Sequence, residues 1–426
     1  MLIQFTVGNF KSFKEKATLS LEADHDEWLA ESNVSNVHSL RLLNAAAIYG
    51  ANASGKSNFL SAMERFRNWV QKSSKDSQAG DKIPVVPYRL HTGTEKAPTF
   101  FEVVFLKNAR RFRYGFEATR ETIQSEWLFG RADSIRETRL FTREGGNIER
   151  SEDFKEAKGL EKLTRPNALF LSVSAQFNGP VAAEVIAWMN QFRSISGLDD
   201  KGYMPFTAAK LGEEAFAPAI RELSKRADLG IEDLQARVAP PLGKQEELIL
   251  KDIPGPAREE IIRGTTGNMA VKTFHRRFGP GDQPAGLVEF DFKAESAGTQ
   301  KFVALTGPFL HTLQEGSVLF VDELEARLHP LLTKALVGLF NSSANAKHAQ
   351  LIFATHDEGL LDPKRIRRDQ VWFVEKDDYG ASRLYSLAEF KGVRKGAKFA
   401  KEYLLGQFGG IPHVGDFEET LTHGGE

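Results

Sequence analysis

Three short stretches hold residue types whose spacing suits phosphate chemistry. Gly50-Ala51-Asn52-Ala53-Ser54-Gly55-Lys56-Ser57 fits GxxxxGKS and stands between an apolar run, Ala45 to Tyr49, and the helix-like Asn58 to Val70. Glycines at those positions let the backbone turn tightly, so that N–H groups and a helix N-terminus face a phosphate. Asn52, Ala53, Ser54 and Gly55 would form that cradle. Lys56 would reach the β- and γ-phosphates of a nucleotide and Ser57 a Mg²⁺ ion. Ser317-Val318-Leu319-Phe320-Val321-Asp322-Glu323 is an apolar run closing in two carboxylates, the pattern of a buried parallel strand that carries acids to the carboxyl edge of a sheet. Asp322 would hold the Mg²⁺ and Glu323 would polarise the attacking water. Gln350 to Asp357 repeats the pattern and delivers His356 to the same edge, where it would sense the γ-phosphate.

The rest of the chain must supply a sheet for these strands and a cover for that sheet. Leu2 to Val7 alternates like a half-buried strand, and Ala17 to Leu21 offers an antiparallel partner across Asn9-Phe10-Lys11-Ser12-Phe13, so two β segments precede the P-loop strand. Phe59, Leu60, Met63, Phe66 and Val70 recur at helical spacing, and Gln71 to Lys82 reads as a solvent loop. Thr99 to Leu106, Phe112 to Ala118, Ile123 to Phe129 and Arg139 to Thr142 read as an antiparallel meander. Within it, Arg110-Arg111-Phe112-Arg113-Tyr114 suits either nucleic acid or a strand with one solvated and one buried face. Leu169 to Gln176 reads as a buried strand. Val181 to Leu229 reads as helical, with Val185, Ile186, Met189 and Phe192 on one face. Further strands are expected at Glu247 to Leu250, Met269 to Phe274 and Leu287 to Phe290, and a helix at Thr299 to Leu313. No heptad register persists.

Composition narrows the class. A chain of 426 residues with 41% hydrophobic content buries a substantial core in two lobes or domains. Its 56 basic and 57 acidic residues leave a net charge of −1, which argues for neither nucleic acid nor an anionic membrane overall. Without cysteine, disulfides and thiolate metal sites are excluded, and the ten histidines form no ligand-type cluster. No apolar run reaches membrane-spanning length and no signal peptide is apparent, so a soluble cytoplasmic protein is expected.

The order of P-loop, Gln176, Glu295-Ser296-Ala297-Gly298-Thr299-Gln300, Asp322-Glu323 and His356 resembles the ABC-type ATPases in their SMC- and RecF-like branch. Asn9 to Phe13, Ala53 to Ser57, Leu328-His329-Pro330, Tyr403-Leu404-Leu405-Gly406 and Phe408-Gly409-Gly410-Ile411-Pro412 look like the bacterial AAA15/AAA21 ATPases. The resemblance implies an α/β ATPase head: a mixed sheet around the P-loop, an antiparallel β subdomain and a helical signature lobe, without a long coiled coil. Residues 1–177 would form the first ATPase lobe with the meander, 178–295 a helical insertion with further strands, and 296–426 the signature helix, the Asp-Glu strand, the switch histidine and the rest of the core.

The same resemblance assigns roles. Ser296, Gly298 and Thr299 match the signature motif, which in such ATPases contacts the γ-phosphate bound to the opposite subunit; the same turn is also an ordinary helix N-cap. Gln176 matches the position that couples Mg²⁺ to the helical lobe. Glu325-Ala326-Arg327 matches the loop that meets its counterpart across the dimer, with Arg327 where a small residue is commoner. ATP and Mg²⁺ are the implied cofactors, and a head-to-tail homodimer or higher homo-oligomer the implied assembly. The family points to the ATPase of a two-component anti-phage (abortive-infection) system with a separate effector, such as a Toprim-type nuclease. The alternative is a RecF- or SMC-like repair ATPase that binds DNA directly, through Lys391 to Lys401 with Arg394, Lys395 and Lys398, a cluster that a solvated helix face explains equally.

Overall fold

The computed structural model describes residues 1–131, 137–198, 202–238, 269–393 and 397–412. The expected strand at Glu247 to Leu250, and Arg394 and Lys395, lie outside them. The chain divides into two units, Met1–Ile195 with Gly316–Leu324 and Val337–Glu426, and Ser196–Glu315 with Glu325–Leu336.

In the first unit, the alternating Leu2 to Val7 forms β1 (Leu2–Gly8), paired antiparallel with β2 (Ala17–Ser20). Helix α1 (Ala30–Asn33) and a hairpin of β3 (Val34–Val37) and β4 (Leu40–Leu43) follow, so four strands, not two, precede the P-loop strand β5 (Ala45–Tyr49). The meander is β6 (Thr99–Lys107), β7 (Arg110–Ala118), β8 (Ile123–Arg131), β9 (Thr138–Glu144) and β10 (Asn147–Arg150). Among the described residues it builds one sheet in the order β10-β9-β8-β7-β6-β1-β2. On β7, Phe112 and Tyr114 are buried while Arg113 meets Glu102 and Glu137, the two-faced strand rather than a cationic groove.

A second sheet has the order β11 (Phe192–Ser196), β15 (Val318–Asp322), β16 (Gln350–Ala354), β5, β17 (Val371–Lys376) and β18 (Ser382–Ser386). β15, β16, β5 and β17 run parallel, and their apolar runs are buried because both faces are covered. The P-loop helix α2 (Lys56–Lys72) buries Phe59, Met63, Phe66 and Val70 against both sheets. Phe5 of β1 meets Phe59 and Phe66 edge-on at 5.7 Å, the arrangement that aromatic quadrupoles favour.

Two expectations fail here for tertiary reasons. Leu169 to Gln176 is not a strand but carries helix α3 (Phe170–Gln176). Its first N–H groups, at Phe170 and Leu171, donate to the carboxylate of Glu126 on β8 at 2.7 and 3.0 Å, a cap supplied from 44 and 45 residues away. Helix α4 (Pro180–Met189) ends before Phe192, which starts β11 and packs edge-on against Trp188 and Phe320. The Gln71 to Lys82 loop is also partly buried, because the Arg165 guanidinium donates to the carbonyls of Ser74 and Ser77.

Glu126 is fully buried, and burial pushes its carboxyl pKa up; Arg143, 3.9 Å away, the two helix N–H groups and the Tyr114 hydroxyl oppose that shift. Glu126→Ala is expected to cost about 3–5 kcal/mol, because it uncaps α3 and removes the counter-charge of the buried Arg143, whose guanidinium keeps only backbone carbonyls such as Gly145 O and Ala168 O as partners. Urea unfolding would read this as a lower midpoint. An unchanged midpoint would mean that the pair holds nothing together.

The second unit joins α5 (Met204–Leu211) and α6 (Ala217–Arg226) to the antiparallel sheet β12 (Ile231–Val238), β13 (Met269–Phe278) and β14 (Pro284–Asp291), and to α7 (Ala297–Glu315). Ala208, Ile220, Leu234, Val271 and Val303 form its core. α8 (Pro330–Phe340) starts at the proline of Leu-His-Pro, suited to a first helical turn, and α9 (Phe399–Leu404) lies near the C-terminus. At 19 residues, α7 is the longest described helix, and no described helix is long and apolar enough to cross a membrane. The expected architecture is therefore present: a mixed sheet around the P-loop, an antiparallel β subdomain and a lobe containing the signature helix, with no long coiled coil among the described residues.

Candidate nucleotide site

Parallel register puts the chemistry on one edge of the first unit. Val321 pairs with Phe353, and Ala354 with Ile48, so β15, β16 and β5 end nearly level. Thr355 N donates to Ile48 O at 3.1 Å and Leu324 N to Ala354 O at 3.3 Å, holding the three exits together. From them emerge the P-loop, Asp322 with Glu323, and His356.

The loop is shaped by contacts that leave no space for side chains. A Cβ at Gly50 would strike Val374 O and come within 2.6 Å of Ser54 Oγ, and Gly50 has φ 156°. Gly55, at φ 121° before α2, would strike the hydroxyls of Ser382 and Ser12. Ala53 sits in the left-handed region at φ 61°. Lys56 is buried, and its ammonium donates to Gly50 O at 2.8 Å and Ala51 O at 3.1 Å. Asn52, Ala53 and Ser57 are exposed.

The residues present fit a nucleotide with Mg²⁺. Asp322 Oδ1 and Ser54 Oγ are buried without a hydrogen-bond partner among the described residues. A buried carboxylate oxygen with nothing to accept from is costly unless a cation or its water shell serves it. Among the described residues no group of three or more His, Cys, Asp or Glu side chains could hold a metal. Mg²⁺ itself needs only one or two protein carboxylates, with substrate phosphates and its own waters as the other ligands. Glu323, next to Asp322, holds a left-handed φ of 50°, a conformation that costs a non-glycine residue energy and gathers at functional sites. His356 is exposed at the same edge.

Ser296, Gly298 and Thr299 lie in the second unit. Ser296 Oγ accepts from Thr299 N at 3.1 Å, capping α7, while Ser296 itself stays exposed. A Cβ on Gly298 would come within 2.9 Å of Arg327 O. The fully buried Lys301 donates to Ala326 O, and Arg327 Nη2 to Leu198 O at 2.6 Å. The loop after the Asp-Glu pair is thus tied to the signature helix. Gln176 is the exposed last residue of α3, and no described hydrogen bond joins it to the P-loop or Asp322. On the side of β15 away from β16 lies β11.

Sequence reasoning gave no role to the residues that back the loop. Ser12 accepts from Asn58 Nδ2 at 2.9 Å, and Ser382 N donates to Ser12 O at 2.6 Å. Tyr403 packs on Tyr49 and Phe373, and its hydroxyl donates to Gly410 O at 3.2 Å. A Cβ on Gly410 would lie 3.6 Å from Gly50 Cα. The N-terminal Asn9 to Phe13 and the late glycine pair were the available signals; what they brace is visible only in three dimensions.

A P-loop opening a helix between two sheets, with an acidic strand end beside it, defines a P-loop ATPase. The chain belongs to the AAA_21 family, described as AAA domain, putative AbiEii toxin, Type IV TA system, whose model matches residues 45–362. Among solved structures it is similar to the SMC head domain from Thermotoga maritima, at 14% identity over 90% of this chain and 98% of that one, with a TM-score of 0.41. It is also similar to an SMC head solved bound to the C-winged helix domain of ScpA, at 14% identity over 90% and 97%, with a TM-score of 0.45. No curated protein matches the chain in sequence.

Proposed function

We propose that this chain is an ATP-hydrolysing switch that dimerises head to tail and controls a separate effector, as the ATPase component of a two-component bacterial anti-phage (abortive-infection) system. The observation that carries the chemistry is the buried, unpartnered Asp322 Oδ1 on the sheet edge that also bears the P-loop. Bound Mg²⁺ and ATP supply an in-line electrophilic phosphoryl group and its charge neutralisation. Lys56 and the loop N–H groups hold the phosphates, Ser57 and Asp322 the metal's shell, Glu323 takes the proton of the attacking water, and His356 orients the γ-phosphate.

The exposed Ser296 at the start of α7 supports the shared-site part of the reading. A capped helix start on the surface offers N–H groups and a positive dipole end to a phosphate held by a second copy. Family membership supports the defence role, and the effector reading makes a direct test possible. Tagged Glu323→Gln protein, recovered from its native host with ATP present, is expected to bring down a second protein in stoichiometric amount. Recovery of the chain alone would contradict effector control.

A further inference from the structure

One buried cation has no part in the chemistry proposed above. Lys301, on the second turn of α7, is fully buried, and its ammonium donates to Ala326 O. Taking an ammonium out of water is costly, and an apolar residue of the same volume usually serves a core as well or better. What the charge adds is a tether to one particular carbonyl.

That carbonyl belongs to a short stretch bounded by strained backbone. Glu323 and Arg327 hold left-handed φ values of 50° and 61°, so the chain turns sharply at either end of Leu324 to Ala326. Such backbone persists only where its surroundings fix it. Leu324 is fixed beside the Asp-Glu strand, its N–H donating to Ala354 O at 3.3 Å. The chain then passes from the first unit to the second at Glu325. From there the stretch is fixed to the start of α7: besides the Lys301 tether, a Cβ on Gly298 would lie 2.9 Å from Arg327 O, closer than two such atoms can come. Arg327 Nη2 donates to Leu198 O at 2.6 Å, and Leu328 N to Glu325 O at 2.8 Å.

We infer that Lys301 is a positioning residue, which makes the signature turn and the carboxylate of Glu323 answer to one another; the inference rests on the shared-site reading above. A phosphate of a second copy, seated at Ser296, fixes the first turn of α7. Lys301, one turn further along, fixes Ala326, and Ala326 lies three residues from the general base. Hydrolysis in one copy then waits for the nucleotide of the other.

Lys301→Met, Lys301→Arg and Arg327→Ala would be compared with the wild type as full chains: calorimetry for ATP binding, phosphate release for kcat and KM, and light scattering in the Glu323→Gln background for the ATP-held dimer. Methionine keeps most of the buried volume and removes the donor. It is expected to leave the unfolding temperature, ATP affinity, KM and dimer as in the wild type and to lower kcat about 10- to 100-fold, the cost of misplacing a catalytic group by about 1 Å. The guanidinium of Lys301→Arg can donate to the same carbonyl and should recover most of that loss. Arg327→Ala, a change at an exposed side chain that frees the far end of the stretch, should lower kcat in the same pattern by less. Wild-type kcat in Lys301→Met, or in Arg327→Ala where Lys301→Met does not fold, would overturn the inference and leave the ATPase reading intact. Loss of the ATP-held dimer from Lys301→Met would also overturn it, by making Lys301 part of the phosphate seat. A wild type without turnover would overturn the ATPase reading and this inference with it.

Discussion

Glu323→Gln is expected to bind ATP as the wild type does and to hydrolyse it about 10²- to 10⁴-fold more slowly, the usual worth of a positioned general base. Glu323 leaves β15 directly after Asp322, on the edge shared with the P-loop, with a left-handed backbone and the fully buried Leu324 next in the chain, whose N–H donates to Ala354 O. The amide of glutamine keeps the shape but cannot accept the water's proton. Binding would be read by calorimetry and hydrolysis by phosphate release. Turnover at the wild-type rate would remove Glu323 from the base role, and lost binding would mean that the residue holds the nucleotide.

Lys56→Ala is expected to weaken ATP binding by roughly 10- to 150-fold, since hydrogen bonds to a charged group contribute about 1.5–3 kcal/mol. The ammonium is buried at the mouth of the loop, within 3.1 Å of two of its carbonyls. Its removal takes away the cation that faces the phosphates and also leaves Gly50 O and Ala51 O without that donor. Lys56→Met, which retains most of the side-chain volume, should lose affinity equally while unfolding at the wild-type temperature. Unchanged affinity in both variants would place the phosphates elsewhere.

The site was readable where the signal is local. GxxxxGKS sets its own loop, and the apolar runs ending in Asp322-Glu323 and His356 suit buried parallel strands once they follow a P-loop, and their observed register brings them level with β5. The alternation of β6 to β9 was equally plain. What sequence misread depends on distant partners. Leu169 to Gln176 is apolar enough for either state, and the carboxylate of Glu126 decides for a helix. Phe192 continues a helical spacing, yet its place between Trp188 and Phe320 makes it the start of a strand. The short β3–β4 hairpin offers too few residues for a period to show. Ser12, Ser382 and Gly410 gather around the P-loop from opposite ends of the chain, which no window of sequence can display.

The most direct test of the switch is the mass of Glu323→Gln protein by light scattering, with and without Mg²⁺ and ATP. The account predicts a monomer alone, twice that mass with ATP, and a return to monomer when Ser296→Arg is added, because the exposed start of α7 would no longer fit a neighbour's phosphate. A mass that ignores ATP, or a dimer that survives Ser296→Arg, would contradict the shared site on which the switch depends.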